Sequence, residues 1–198
     1  MEELKVVQIA GAYDKDGKII IPFEYERVEK KTTGVYGAKS FSGEYHLYTS
    51  KGKVEYPKHI VKINKAVLFT DETCIFILQD NEKVYIGKID FEKNVFNVIY
   101  ERFASKFEKH LYHISIFFND GSQDIFSPEE KKVVLHLKPS ETLCEIIDKK
   151  GFFVRERDRR KFYDFTGRMV AENFSITIKD DGEKELRDFD GNQIQLNE

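Results

Sequence analysis

The chain has 198 residues, 40% of them hydrophobic and 14% aromatic, enough apolar matter for one sizeable core or two small ones and too much for a disordered chain. Its net charge of −3, with 34% charged residues, exerts no global pull toward nucleic acid or an anionic membrane. The two cysteines, Cys74 and Cys144, make no disulfide framework and fit a reducing compartment.

Residues 1–10 are acidic where a secretory leader would be basic, and their apolar run is short. No apolar stretch approaches the roughly 18 residues of a membrane helix, so a cytoplasmic protein without a membrane partner is expected. Seventeen Phe and ten Tyr, with no Trp, favour half-buried strands. At 13–21 a pattern opens that then returns: an apolar or aromatic residue, Asp (elsewhere Thr or Ser), two further residues, Gly, a basic residue and an apolar run. It recurs at 48–54 and 162–170, with variants at 147–151 and 187–192. Copies without the glycine stand at 89–95 and 126–131.

The physics is that of a tight hairpin. The first side-chain oxygen caps backbone amides, and Gly supplies the left-handed residue of a type I turn with a G1 bulge. Taking Asp14, Thr49, Asp90, Ser127 and Asp164 as phase markers, the intervals are 35, 41, 37 and 37 residues. Pro22 and Pro57 keep the 35-residue interval, as do Val28 and Ile63. A unit of this length holds about four short strands. The reading is all-β: about five repeated antiparallel β-meander units in one domain spanning 1–198, either propeller-like or an open β-solenoid. One stretch departs from it. Phe103, Phe107 and Leu111 fall four apart, which predicts a short helix of one to two turns within 101–111, the alternative being an irregular loop. Residues 112–118 then read as a strand ending in the turn signal Asn119, Asp120, Gly121. Cys74, within 72–78, reads as a buried strand residue, and Cys144 likewise.

Residues 13–52 resemble the tryptophan–glycine (WG) β-repeat of bacterial proteins. Gly11, Asp14, Gly17, Lys18, Ile19, Ile20, Pro22 and Tyr25 fall where that repeat places them, and 34–39 is similar to its glycine-led middle strand. Residues 43–49 open the next copy, with Tyr45 at the Trp position and His46 at the Gly. Trp is absent throughout, Ala10, Tyr45 and Ile86 standing at its positions; Gly87 keeps the dipeptide's glycine, and Lys161 replaces it. The resemblance implies bacterial origin and a binding or scaffolding role rather than a reaction.

Catalytic and metal chemistry find no motif. His110 and His113 are three apart, while His46, His59 and His136 are scattered, without the paired ligands of a zinc site. The Asp-x-Asp-Gly loops at 14–17 and 188–191 lack the closing Glu of a calcium loop and read as hairpin turns. Nucleophile elbows and phosphate loops are missing. The expectation is a non-enzyme with no cofactor that binds another protein. Tyr36 and Tyr45, with Tyr48 and Tyr56, are candidate contacts, although alternating aromatics also suit a core. The sharpest charged feature is 155–161. Period two would place Arg155, Arg157 and Arg159 on one face and Glu156, Asp158 and Arg160 on the other, with Lys161 following. These residues suit an acidic protein or, as a second reading, nucleic acid or a nucleotide. The alternative is a solvated hairpin whose charges are paired by acidic neighbours such as Asp180, Asp181, Glu183 and Glu185. A third reading is an inhibitor, such as an immunity or anti-defence protein.

Overall fold

The computed structural model describes residues 8–69, 75–147, 150–188 and 190–194. The readings made for residues 1–7, for Cys74 and for Asp148 lie outside them. All regular structure among the described residues is β, and the chain divides into two compact units, Met1–Lys106 and Phe107–Glu198.

The first unit begins with a two-stranded pair, β1(Ala10–Tyr13) and β2(Ile19–Tyr25). A four-stranded antiparallel sheet follows in simple meander order: β3(Arg27–Thr32), β4(Val35–Lys39), β5(Tyr45–Thr49) and β6(Gly52–Lys53). A second comprises β7(Lys65–Leu68), β8(Ile75–Gln79), β9(Lys83–Asp90) and β10(Val95–Phe103). The second unit repeats the plan with β11(Lys106–Lys109), β12(Ile114–Phe117), β13(Gln123–Ser127) and β14(Lys132–Leu137). After these come β15(Glu141–Ile147), β16(Gly151–Glu156), β17(Arg159–Tyr163) and β18(Met169–Glu172), and then the pair β19(Ser175–Ile178) and β20(Lys184–Arg187).

The phase markers occupy one structural position. Asp14 joins β1 to β2, and Thr49, Asp90, Ser127 and Asp164 each join the third strand of a sheet to the fourth. At Asp14 one carboxylate oxygen accepts the amides of Asp16 and Lys18, both at 2.9 Å, and Gly17 turns with φ 80°. Asp164 does the same for Thr166 and Arg168 at 3.0 Å, with Gly167 at φ 85°. In the copies without glycine the loop is one residue longer, and its last, left-handed position passes to another residue type. Asn94 (φ 58°) and Lys131 (φ 57°) hold it there, beside the strand pairs Asp90↔Val95 and Ser127↔Lys132. Two further turns of the same kind, Ser40 to Glu44 and Lys179 to Glu183, escape the pattern because Glu follows the glycine where it has a basic residue.

The helix expected at 101–111 is not formed. Glu101, Arg102 and Phe103 pair with Tyr85, Val84 and Lys83 across β9, and β11 resumes at Lys106. The spacing misleads because its three residues share no face: Phe107 is 6% exposed, whereas Phe103 and Leu111 are 66% and 74% exposed. The strand expected at 112–118 is present as β12.

No sheet can bury both faces alone, so neighbours within each unit pack face to face. In the first unit Val35, Leu47 and Val54 meet Phe76, Leu78, Tyr85 and Phe96, while Ile21 and Tyr25 meet Ala38 and Tyr48. In the second, Ile125 and Leu137 meet Phe152 and Val154, and Ile147 and Phe162 meet Phe174 and Leu186. Each such large apolar side chain contributes about 1.5–3 kcal/mol through burial. Polar staples supplement the packing. Thr49 Oγ1 donates to Asn94 Oδ1 at 2.6 Å, Asn94 Nδ2 donates to the Lys53 carbonyl at 2.9 Å, and Lys51 Nζ donates to the Glu92 carbonyl at 2.7 Å.

Candidate interaction surfaces

The 155–161 segment is a hairpin, but its faces differ from the expected ones. β16 and β17 are joined by the two-residue turn Arg157–Asp158, with Arg157 at φ 53°. Such a tight turn sets Glu156 opposite Arg159 and Arg155 opposite Arg160. Cross-strand partners share a face, so the expected row of Arg155, Arg157 and Arg159 does not form; the turn breaks the period-two count at Arg157.

One face of the β15–β18 sheet is electrically balanced. Lys161 Nζ lies 2.7 Å from Glu141 and 2.8 Å from Glu156, and Arg159 lies 3.5 Å from Glu172. The hydrogen bonds that Lys161 donates to Glu141 and Glu156 raise its ammonium above the usual lysine range. Lys161 is therefore an internal tie rather than an exposed contact, its side chain only 15% exposed. The acids proposed from sequence as partners are engaged elsewhere, Glu183 with Lys150 and Lys179, and Glu185 with Arg187. The opposite face carries Arg155 and Arg160, both exposed, with Arg157 exposed at the tip. Among the described residues no carboxylate lies within 4.0 Å of these three guanidinium groups, and the one hydrogen bond is from Arg160 to the Phe174 carbonyl at 3.5 Å.

The tyrosines are mostly structural. Tyr45 is 7% exposed and donates to Glu29 Oε1 at 2.5 Å. It reaches that carboxylate across Gly37, where a Cβ would stand 2.0 Å from the phenol oxygen. Burial disfavours the Glu29 charge, but hydrogen bonds from Lys31 and Tyr45, the Lys31 charge and the Arg27 hydrogen bond outweigh it and bring the carboxyl down to about 2. Tyr36 is half-buried against Ala38, Tyr25 and Tyr48, and Tyr25 and Tyr48 share a hydrogen bond of 2.6 Å between their hydroxyls. Tyr45 is thus corrected from surface to core, because Gly37 and Glu29 in neighbouring strands open a slot for its ring.

The histidines are also divided among structural roles. His136 Nδ1 is 2.7 Å from the buried carboxylate of Asp124, its cross-strand partner, and His110 Nε2 is 2.8 Å from Ser115 Oγ. His113, 4% exposed, stacks on Phe165 at 5.0 Å and meets Phe152 edge-on at 4.8 Å, while its Nδ1 has no hydrogen-bond partner. Among the described residues no three His, Cys, Asp or Glu gather as metal ligands would.

One sizeable concavity was not anticipated. A groove of about 740 Å³ in the second unit runs between β11–β12 and β15. Leu111 and Tyr112, 74% and 50% exposed, stand on one bank, and Leu143, Cys144 and Ile146 on the other. β15 ends its sheet, so it offers an edge without a ladder partner among the described residues. Cys144, expected to be buried in its strand, instead lies on an edge strand with its thiol free and exposed, its one hydrogen bond going to the Thr142 carbonyl at 3.6 Å. The only hint in the sequence was the pair of consecutive apolar residues Leu111 and Tyr112 beside a turn.

These features define an antiparallel β-meander repeat protein with exposed arginine and groove surfaces. No family model matches the chain, and no curated protein does either. Among solved structures it is similar to the WD40 β-propeller domain of Doa1, with a TM-score of 0.35 and 10% identity over 87% of this chain and 64% of that one. BamB from Moraxella catarrhalis gives a TM-score of 0.38 and 12% identity over 83% and 58%. The computationally designed protein Ika8 gives 0.41 and 10% over 90% and 66%. The chain spans less than two thirds of the length of each of these structures.

Proposed function

We propose that the chain is a non-catalytic protein-interaction module of the WG-repeat type. The observation that carries the reading is the groove between β11–β12 and β15. There Leu111 and Tyr112 are held out to solvent beside a strand edge, on sheets whose turns are capped. Adjacent in sequence and on one bank of a concavity, the two make a contiguous apolar patch of the kind that marks interaction surfaces. An extended segment of a partner could lie along the β15 edge and place alternate side chains against Leu143 and Ile146. Ionisable groups elsewhere in the chain are spent on one another, as at Glu29, Lys161 and Asp124.

Affinity capture with the intact chain, run beside Leu111→Glu and Tyr112→Glu variants, tests this. A protein retained by the wild type and lost from both variants is the expected result. Retention unchanged by both substitutions removes the groove from the reading. Both side chains are exposed, so neither change should cost more than about 0.5 kcal/mol of stability.

A further inference from the structure

The β15–β18 sheet is two-faced in charge, and its arginine face is built at a cost. Arg155 and Arg160 are direct cross-strand partners. Like charges set opposite each other on a sheet repel. On the other face every cation has an acid: Lys161 has Glu141 and Glu156, and Arg159 has Glu172. The asymmetry falls within one hairpin, so overall composition does not explain it.

The row has a direction. Thr142, which lines the groove, pairs with Arg155; Arg155 pairs with Arg160; and the Arg160 carbonyl accepts the Asn173 amide at 2.6 Å. Arg160 and Asn173 line a second hollow of about 420 Å³. The arginines therefore form a ridge leading from the apolar groove across the sheet to a polar hollow.

From this we infer that the Arg155–Arg160 ridge, with Arg157 at its tip, is a docking site for a carboxylate-rich segment of a protein partner. The inference rests on reading the chain as an interaction module and names the chemistry of what it binds. A carboxylate placed between the two guanidinium groups relieves their repulsion and accepts charge-assisted hydrogen bonds from both. Discrete carboxylates suit the ridge better than a continuous polyanion. Asp158 sits in the turn next to Arg157, Asp188 lines the hollow beside Arg160, and the whole chain carries −3. These acids confine the basic footprint to three guanidinium groups, wide enough for one or two carboxylates of a peptide and too narrow to track an extended phosphate backbone.

The test is fluorescence anisotropy of the intact chain with a short labelled peptide alternating Glu and Ser, beside a single-stranded oligonucleotide of matched charge. The peptide should bind and weaken as salt is raised. Arg155→Glu should reduce its affinity at least tenfold. That substitution sets a carboxylate opposite Arg160, which satisfies the ridge from within and favours the hairpin, so loss of binding does not come from unfolding. Lys15→Glu makes the same change of net charge at an exposed turn of the first unit and should leave affinity unaltered. Peptide binding indifferent to Arg155→Glu, or an oligonucleotide bound more tightly than the peptide, overturns the inference. The Leu111→Glu variant separates the two readings. If it loses its captured partner yet keeps the peptide, both stand. If the peptide never binds while capture still depends on Leu111, the ridge fails and the groove survives.

Discussion

His113 shows what a single buried side chain costs. Burial between Phe152 and Phe165, followed by the nearby His110, holds its imidazole down from the usual 6.5 to about 4. The unfolded chain therefore binds this proton more readily than the folded one. Stability should be full above pH 6.5 and fall as pH drops toward 4, by about 3 kcal/mol. Glu29 works in a lower window. Its carboxyl is depressed from 4.5 to about 2, so its contribution is present above pH 4.5 and lost as pH falls toward 2. Urea unfolding between pH 7 and pH 4 should show the decline in the wild type and a flatter profile in His113→Phe. An equal decline in both would exclude His113 as its source. Another single-residue strain lies at Lys131, whose φ of 57° suits glycine. Lys131→Gly should stabilise the chain by about 1 kcal/mol, read as a higher urea midpoint with an unchanged slope.

At the scale of strands and turns, the glycine-lacking loops behave as staples as well as corners. Asn94 takes a left-handed conformation that Gly would adopt more easily, yet its side chain bonds Thr49 and Lys53. Asn94→Gly should therefore destabilise, by about 1–2 kcal/mol, in contrast to Lys131→Gly. If it stabilises instead, the staple contributes little. Gly167 is constrained twice: its φ is 85°, and an added Cβ would lie 1.6 Å from the Val134 carbonyl oxygen. Gly167→Ala should cost about 3 kcal/mol or more by thermal unfolding, since backbone must move on both sides. The turns were readable in the sequence because their chemistry is local: one capping oxygen and one left-handed residue within five positions. The 101–111 stretch was not, because its four-residue spacing imitates a helix while ladder bonds to β9 hold its first part extended.

For the molecule as a whole, tiling one corner motif along the chain makes a scaffold whose surfaces lie between and across sheets. Cys144 gives a direct probe of one of them, being exposed in the groove. A bound partner should slow its alkylation, followed by mass spectrometry of the Cys144 peptide, by at least tenfold. Alkylation at an unchanged rate in the complex would place the partner elsewhere. Sequence alone determined the repeat, its phase and its all-β class, because hairpin turns and strand propensities act over a few residues. Tertiary structure alone decided what faces solvent. Whether Tyr45 is core depends on Gly37 and Glu29, whether Lys161 is free depends on Glu141, and whether Arg155 meets Arg159 or Arg160 depends on a two-residue turn with no glycine to announce it. Those outcomes turn on side chains brought together across strands, a distance over which one-dimensional periodicity carries no information.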